Sequence, residues 1–158
     1  MKKLLVLLLL LAILTGLAVS SSQTYEQQSL VSTLKQLLPG EPGKAILSTL
    51  EFSYWNRIIS IEERGYYHFV EFLIRKAAHF LTFGLLALVI YSLWPKRKGR
   101  LLGVALLTLI LACADELHQS FTGGRTATMQ DVYLDMAGAL TFLFLAATFQ
   151  LIQNVRKR

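Results

Sequence analysis

Charged and polar residues capable of chemistry sit at the ends of apolar runs in this chain. Arg75, Lys76 and His79 open one run in "RKAAHFLTFG", and Asp115, Glu116 and Gln119 close another in "ADELHQ". Arg125 lies in the "TGGRTAT" loop that follows, and Asp131 and Asp135 begin the last run. Three chemistries fit these residue types. His79 with Asp115, Glu116 or Asp131 makes a mixed imidazole–carboxylate set able to hold a metal. Arg75, Lys76 and Arg125 could grip a phosphate or another anion. The carboxylates could orient those cations or exchange protons. Other chemistries fail on spacing. Glu116 and His118 are two apart, on different helix faces, unlike the paired histidines of a zincin helix. No G-x-S-x-G is present, and two glycines do not make a phosphate loop.

The elements that carry these residues are membrane spans. Hydrophobic residues are 54 % of the 158 and charged ones 16 %, with mean hydropathy +0.49, which is more apolar surface than so small a soluble domain can bury. The net charge of +6 comes from cations that flank apolar runs, and no nucleic-acid module accompanies them, so no nucleic-acid partner is expected. Four runs stand out: 4–19, about Ala77 to Trp94, Leu101 to Ala114 and Val132 to Ile152. The third reaches spanning length by continuing through Asp115 and Glu116. The first reads as an uncleaved anchor or as a signal peptide with small residues at Ala18 and Ser20. Cys113, the single cysteine, is expected to be a buried small hydrophobe.

Charge asymmetry gives an orientation. The start (Lys2, Lys3), the turn 95–100 and the tail 156–158 carry nine cations and no acid, whereas segment 20–72 carries four cations and six acids. Both termini are then cytoplasmic, and segment 20–72 lies outside. Within it, Leu30, Leu34, Leu37 and Leu38 have helical spacing before Pro39-Gly40. A partly helical flap is expected there, with Tyr54, Trp55, Tyr66 and Tyr67 at headgroup level.

Counting at about 1.5 Å per residue across about 30 Å of hydrocarbon brings Arg75, Lys76, His79, Asp115, Glu116, Asp131 and Asp135 to the same outer third of the membrane. An ionised carboxylate facing lipid costs about 2.5–3.5 kcal/mol, so Asp115 and Glu116 are expected to face the bundle interior. Their expected counter-charges are Arg75, Lys76 and Arg125, so that "RKAAHF" is answered by "ADELHQ". Asp115 and Glu116, about 100° apart on a helix, need not share a partner.

The spacing from Arg75 to Phe144 resembles the VanZ-like family of small bacterial membrane proteins. The resemblance rests on Lys76, His79, Gly84, Asp115, Glu116, Gln119, Arg125, Asp131 and Gly138 in order. It implies an all-α membrane protein with four transmembrane helices and an uncleaved first run. With the apolar runs and the charge asymmetry, the expected division is a first transmembrane helix or signal-peptide-like anchor over 1–20, an extracytoplasmic, partly helical segment over 21–72 and a three-helix core over 73–155. The family is named for a protein associated with resistance to teicoplanin. Two positions depart from its pattern. Gly123-Gly124-Arg125 stands where Pro-Gly-Arg is common, and Asp135 stands where asparagine is usual.

The expected function is an outward-facing polar site in the bacterial cytoplasmic membrane that binds or modifies an envelope amphiphile. Membrane lipids, a lipid-linked cell-wall precursor or a lipoglycopeptide are the expected partners. The rival is a structural or shielding module whose charges form an ion-pair network. Residue types leave turnover and cofactor open.

Overall fold

The computed structural model describes residues 1–54, 56–122 and 128–157. Four helices are long and apolar enough to cross a membrane: α1 (Lys2–Ser21), α5 (Tyr66–Leu93), α6 (Arg100–Ser120) and α7 (Met129–Arg156). The expected architecture of four spans in a mainly helical chain is therefore present. Between α1 and α5 lie α2 (Val31–Leu37), α3 (Lys44–Leu47), β1 (Phe52–Tyr54), β2 (Arg57–Ile59) and α4 (Ile61–Arg64). The leucine spacing at 30–38 forms α2, as expected. The antiparallel hairpin β1–β2, in register Phe52 with Ile59 and Tyr54 with Arg57, is an addition that no alternation in the sequence announced.

Local chemistry sets the ends of these elements. Ser60 caps α4 by accepting from the Glu63 amide, and Thr128 caps α7 by accepting from the Asp131 amide. Gly65, at φ +76°, turns the chain from α4 into α5 with a backbone that L side chains resist. Trp94 is extended because Pro95 follows it, which stops α5. At about 42 Å, α5 is longer than about 30 Å of hydrocarbon requires. Ala77 marks where lipid-compatible residues begin, while the helix itself starts eleven residues earlier at Tyr66.

Two cores hold the fold. In the spans, Phe83, Leu86, Ala87 and Ile90 of α5 pack with Val104 and Ala112 of α6 and Ala139 and Leu143 of α7. Closest approach is between α5 and α7. A Cβ on Gly138 would fall onto the Phe80 carbonyl oxygen, and one on Gly84 would meet the Phe142 ring at 2.6 Å. The helix α1 is apolar all round and exposes most of its leucines; only Leu10, Ile13, Leu14 and Leu17 lean on the bundle. Such an outward surface is what a lipid-facing helix presents. Cys113 is exposed on α6, correcting its expected burial, since an outer helix face needs no protein neighbour when lipid is the solvent. The second core gathers Ile59, Ile61, Tyr66 and Phe69, with Leu38, Leu47 and Tyr54 against it. The segment between α1 and α5 is therefore packed onto the first turns of α5.

Candidate functional site

The polar residues collect where α1 and α6 end and α7 begins, beside the middle of α5. The phase of α5 sends two adjacent cations to different partners, because neighbours on a helix diverge by about 100°. Arg75 turns back along its own helix, where its Nη2 donates to Glu71 Oε1 at 2.9 Å. Its Nη1 donates to Gln28 Oε1 at 3.1 Å, and its guanidinium lies 4.7 Å from the centroid of the Tyr25 ring. Glu71 is fully buried and also accepts from the Leu30 amide at 2.7 Å, which ties α2's entry to α5. Lys76 turns to α7 and pairs with Asp131, on the same oxygen that accepts from the Tyr54 hydroxyl.

One turn deeper on the same two helices, His79 Nδ1 faces Asp135 Oδ1 at 3.3 Å without the alignment of a hydrogen bond. Asp135 is 1 % exposed. The His79 ring stacks on Phe83, with centroids 6.4 Å apart and planes at 15°. From α6, Asp115 accepts from Gln119 Nε2 at 2.8 Å and from the Ser21 hydroxyl at the end of α1. Glu116 accepts from the Thr128 amide at 2.5 Å, and its Oε2 is buried without a hydrogen-bond partner. The two acids share no partner, as their angular separation required.

The expected charge pairing is corrected by this geometry. Arg75 and Lys76 are answered by Glu71 and Asp131, not by Asp115 and Glu116. A Glu four residues before an Arg is a favourable helical pair, and Glu71 and Arg75 have that spacing. Tyr54 and Ser21 had no such signal, because only the tertiary fold brings the hairpin and the end of α1 to the site. Asp115 and Glu116 form no ion pair among the described residues, and Asp135 meets His79 alone. Arg125, expected to answer these acids, lies outside the described residues.

The expected ligand set changes as well. Asp131 is engaged by Lys76 and Tyr54, and Glu116 by the backbone of Thr128. Among the described residues, His79, Asp115 and Asp135 have ligand atoms that all lie within 4.8 Å of one another.

Beside the cluster opens a cleft of about 1160 Å³. Arg57, Arg64, Arg75 and Lys76 line it, against Glu63 and Asp131, and Tyr54, Phe72 and Ile74 give it apolar wall. Arg57 and Arg64 form no ion pair among the described residues; Arg64 rests 5.1 Å from the centroid of the Phe72 ring. His79 is the lining residue farthest along α5. The burial of Tyr54 pushes its hydroxyl above the ordinary tyrosine range. The bond to Asp131 and the negative charges of Asp131, Asp135 and Glu116 act in the same direction.

A family model described as VanZ/LLP1 matches residues 4–150, which takes in most of α1 and α7, all of α5 and α6 and the segment between α1 and α5. The chain belongs to the VanZ/LLP1 family. No curated protein and no solved structure matches it. The VanZ/LLP1 match reaches well beyond the 75–144 stretch on which the resemblance rested. It brings α1, with its Ser21 donor, into the same unit as the cluster.

Proposed function

We propose that this VanZ/LLP1 member binds the anionic headgroup of an envelope amphiphile in the cleft beside its polar cluster. One observation carries the reading. Arg57 and Arg64 line a cavity next to Arg75 and Lys76 with no acid paired to either among the described residues, while aromatic and aliphatic side chains form the adjoining wall. Unpaired guanidinium groups suit phosphate or carboxylate oxygens, and the apolar wall suits the first part of a lipid chain. A phospholipid, a lipid-linked cell-wall precursor or a lipoglycopeptide such as teicoplanin has both parts. The charge asymmetry of the loops supports a bacterial cytoplasmic membrane location with both termini inside and the cleft outside.

Native mass spectrometry of protein extracted gently from its membrane tests this reading, with wild type beside the Arg57→Ala/Arg64→Ala double variant. An anionic amphiphile retained by wild type and reduced at least about tenfold in the variant is the expected result. Folded wild type that retains nothing specific would overturn it. The second reading, a shielding module held by ion pairs, is favoured by the closed pairs Arg75–Glu71 and Lys76–Asp131. Asp115→Asn separates binding from chemistry, since a carboxylate active in acid–base catalysis cannot be replaced by an amide without loss of turnover.

A further inference from the structure

We infer that His79, Asp115 and Asp135 form a site for one divalent metal ion inside the bundle. Each comes from a different span, α5, α6 and α7, and each presents one ligand atom within 4.8 Å of the other two. An ion bound at about 2.0–2.2 Å holds its ligands roughly 3–4 Å apart, so modest side-chain adjustment closes the set. The 3.3 Å between His79 Nδ1 and Asp135 Oδ1 already falls in that range.

The second observation lies in those two atoms. Both are buried and neither has a hydrogen-bond partner; they meet each other at 3.3 Å, an ion pair only when the imidazole is protonated. Asp135 is 99 % buried, and a carboxylate oxygen so placed costs several kcal/mol unless something of opposite charge meets it. A nitrogen and an oxygen facing one another at 3.3 Å without hydrogen-bond alignment are placed as two ligands of a common ion are placed. No lysine or arginine among the described residues forms an ion pair with Asp115 or Asp135, because Lys76 is held by Asp131 and Arg75 by Glu71. Two carboxylates and a neutral imidazole balance one divalent ion.

The surroundings are those of a supported site. Ser21 and Gln119 each donate to one oxygen of Asp115, which fixes its carboxylate plane and leaves a lone pair on each oxygen. Stacking on Phe83 fixes the imidazole. One nitrogen and two oxygens suit Zn²⁺ or Mn²⁺ better than Mg²⁺, which prefers oxygen alone, or Cu⁺, which prefers sulfur. Because His79 also lines the cleft, a metal here would stand at its inner edge, where it could polarise an oxygen of a bound headgroup.

The site is tested on the full-length protein in detergent. The protein is stripped with chelator, loaded with Zn²⁺, freed of excess and analysed for metal content. One Zn²⁺ per chain is expected in wild type. Asp135→Asn and His79→Gln should each weaken Zn²⁺ binding by more than about 100-fold, beyond the roughly 10- to 100-fold carried by an orienting partner such as Ser21. Co²⁺ loading should give visible absorption typical of nitrogen and oxygen ligands, lost in both variants. His118→Ala, which removes an exposed histidine on the same helix as Asp115, should leave loading unchanged. Wild type without stoichiometric Zn²⁺ overturns the inference, as does full loading of Asp135→Asn or loss of the metal in His118→Ala. Should Asp135→Asn fail to fold, His79→Gln decides alone. Arg57 and Arg64 take no part, so failure here leaves the headgroup reading standing.

Discussion

Gly138 of α7 lies against the backbone carbonyl of Phe80 on α5, with no room between them for a methyl group. One turn away along the same seam, Phe142 covers Gly84. The two contacts set the spacing of α5 and α7, and therefore the reach of Lys76 to Asp131 and of His79 to Asp135. Small residues serve this purpose in membranes, where packing rather than exclusion of water drives helices together.

Gly138→Ala should therefore destabilise the bundle by about 1–3 kcal/mol, the usual cost of overpacking, because the obstacle is backbone and cannot swing aside. Gly16→Ala on α1, where nothing lies within 4 Å, is the control and should not lower stability. Thermal unfolding in detergent compares them. Equal melting temperatures would show that the helices separate freely at Gly138.

Lys76 and Asp131 should be energetically coupled. Their side chains are 24 % and 19 % exposed, so removal of either strands a poorly solvated charge. A double-mutant cycle of Lys76→Met and Asp131→Asn should return a coupling of roughly 1–3 kcal/mol. Additive losses would mean that lipid headgroups or water serve each charge equally well.

Glu71→Gln should loosen the segment that precedes α5. Buried Glu71 holds both the Leu30 amide and Arg75, which in turn holds Gln28 and the Tyr25 carbonyl. Hydrogen exchange over residues 25–38 should quicken markedly while α6 and α7 stay protected. Unchanged exchange in that stretch would assign its order to the small apolar core around Ile59 and Phe69.

Tyr54 gives an alkaline signature. Its hydroxyl titrates higher in the folded protein than the value of about 10 expected unfolded, so the folded state keeps its proton longer. The stability this adds is fully present below about pH 10 and declines as pH rises above it. Tyr54→Phe should lower stability at neutral pH, through loss of the donor to Asp131, and should flatten the decline above pH 10. Parallel stability curves for the two proteins would place the alkaline sensitivity elsewhere.

Much of this arrangement was legible in the order of residues. Apolar length gave four spans, and counting depth from their ends brought Lys76, His79, Asp115 and Asp131 to one level. Pairing was harder, because it turns on which of two adjacent cations faces which neighbour. Arg75 pairs within α5 with Glu71 one turn back, a short-range contact, and not with the acids on other spans. Asp135 supplies a buried carboxylate opposite His79, whereas Asp131 is drawn away by Lys76. The Tyr54 contact depends on a hairpin with little alternation in its sequence, so its place could come only from the assembled fold.

The contacts at the polar end join positions far apart along the chain: Ser21 to Asp115, Tyr54 and Lys76 to Asp131, His79 to Asp135. Synthesis runs from the N-terminus, so α5 enters the bilayer before Asp131 and Asp135, the acids that answer its Lys76 and His79, exist. During that interval Lys76 must reach towards the headgroups with its long stem, while α6 brings Asp115 to a hydroxyl already waiting on α1. Translation of α7 closes the remaining contacts, so a ribosome stalled before residue 131 would leave α5 with its lysine still turned to the membrane surface.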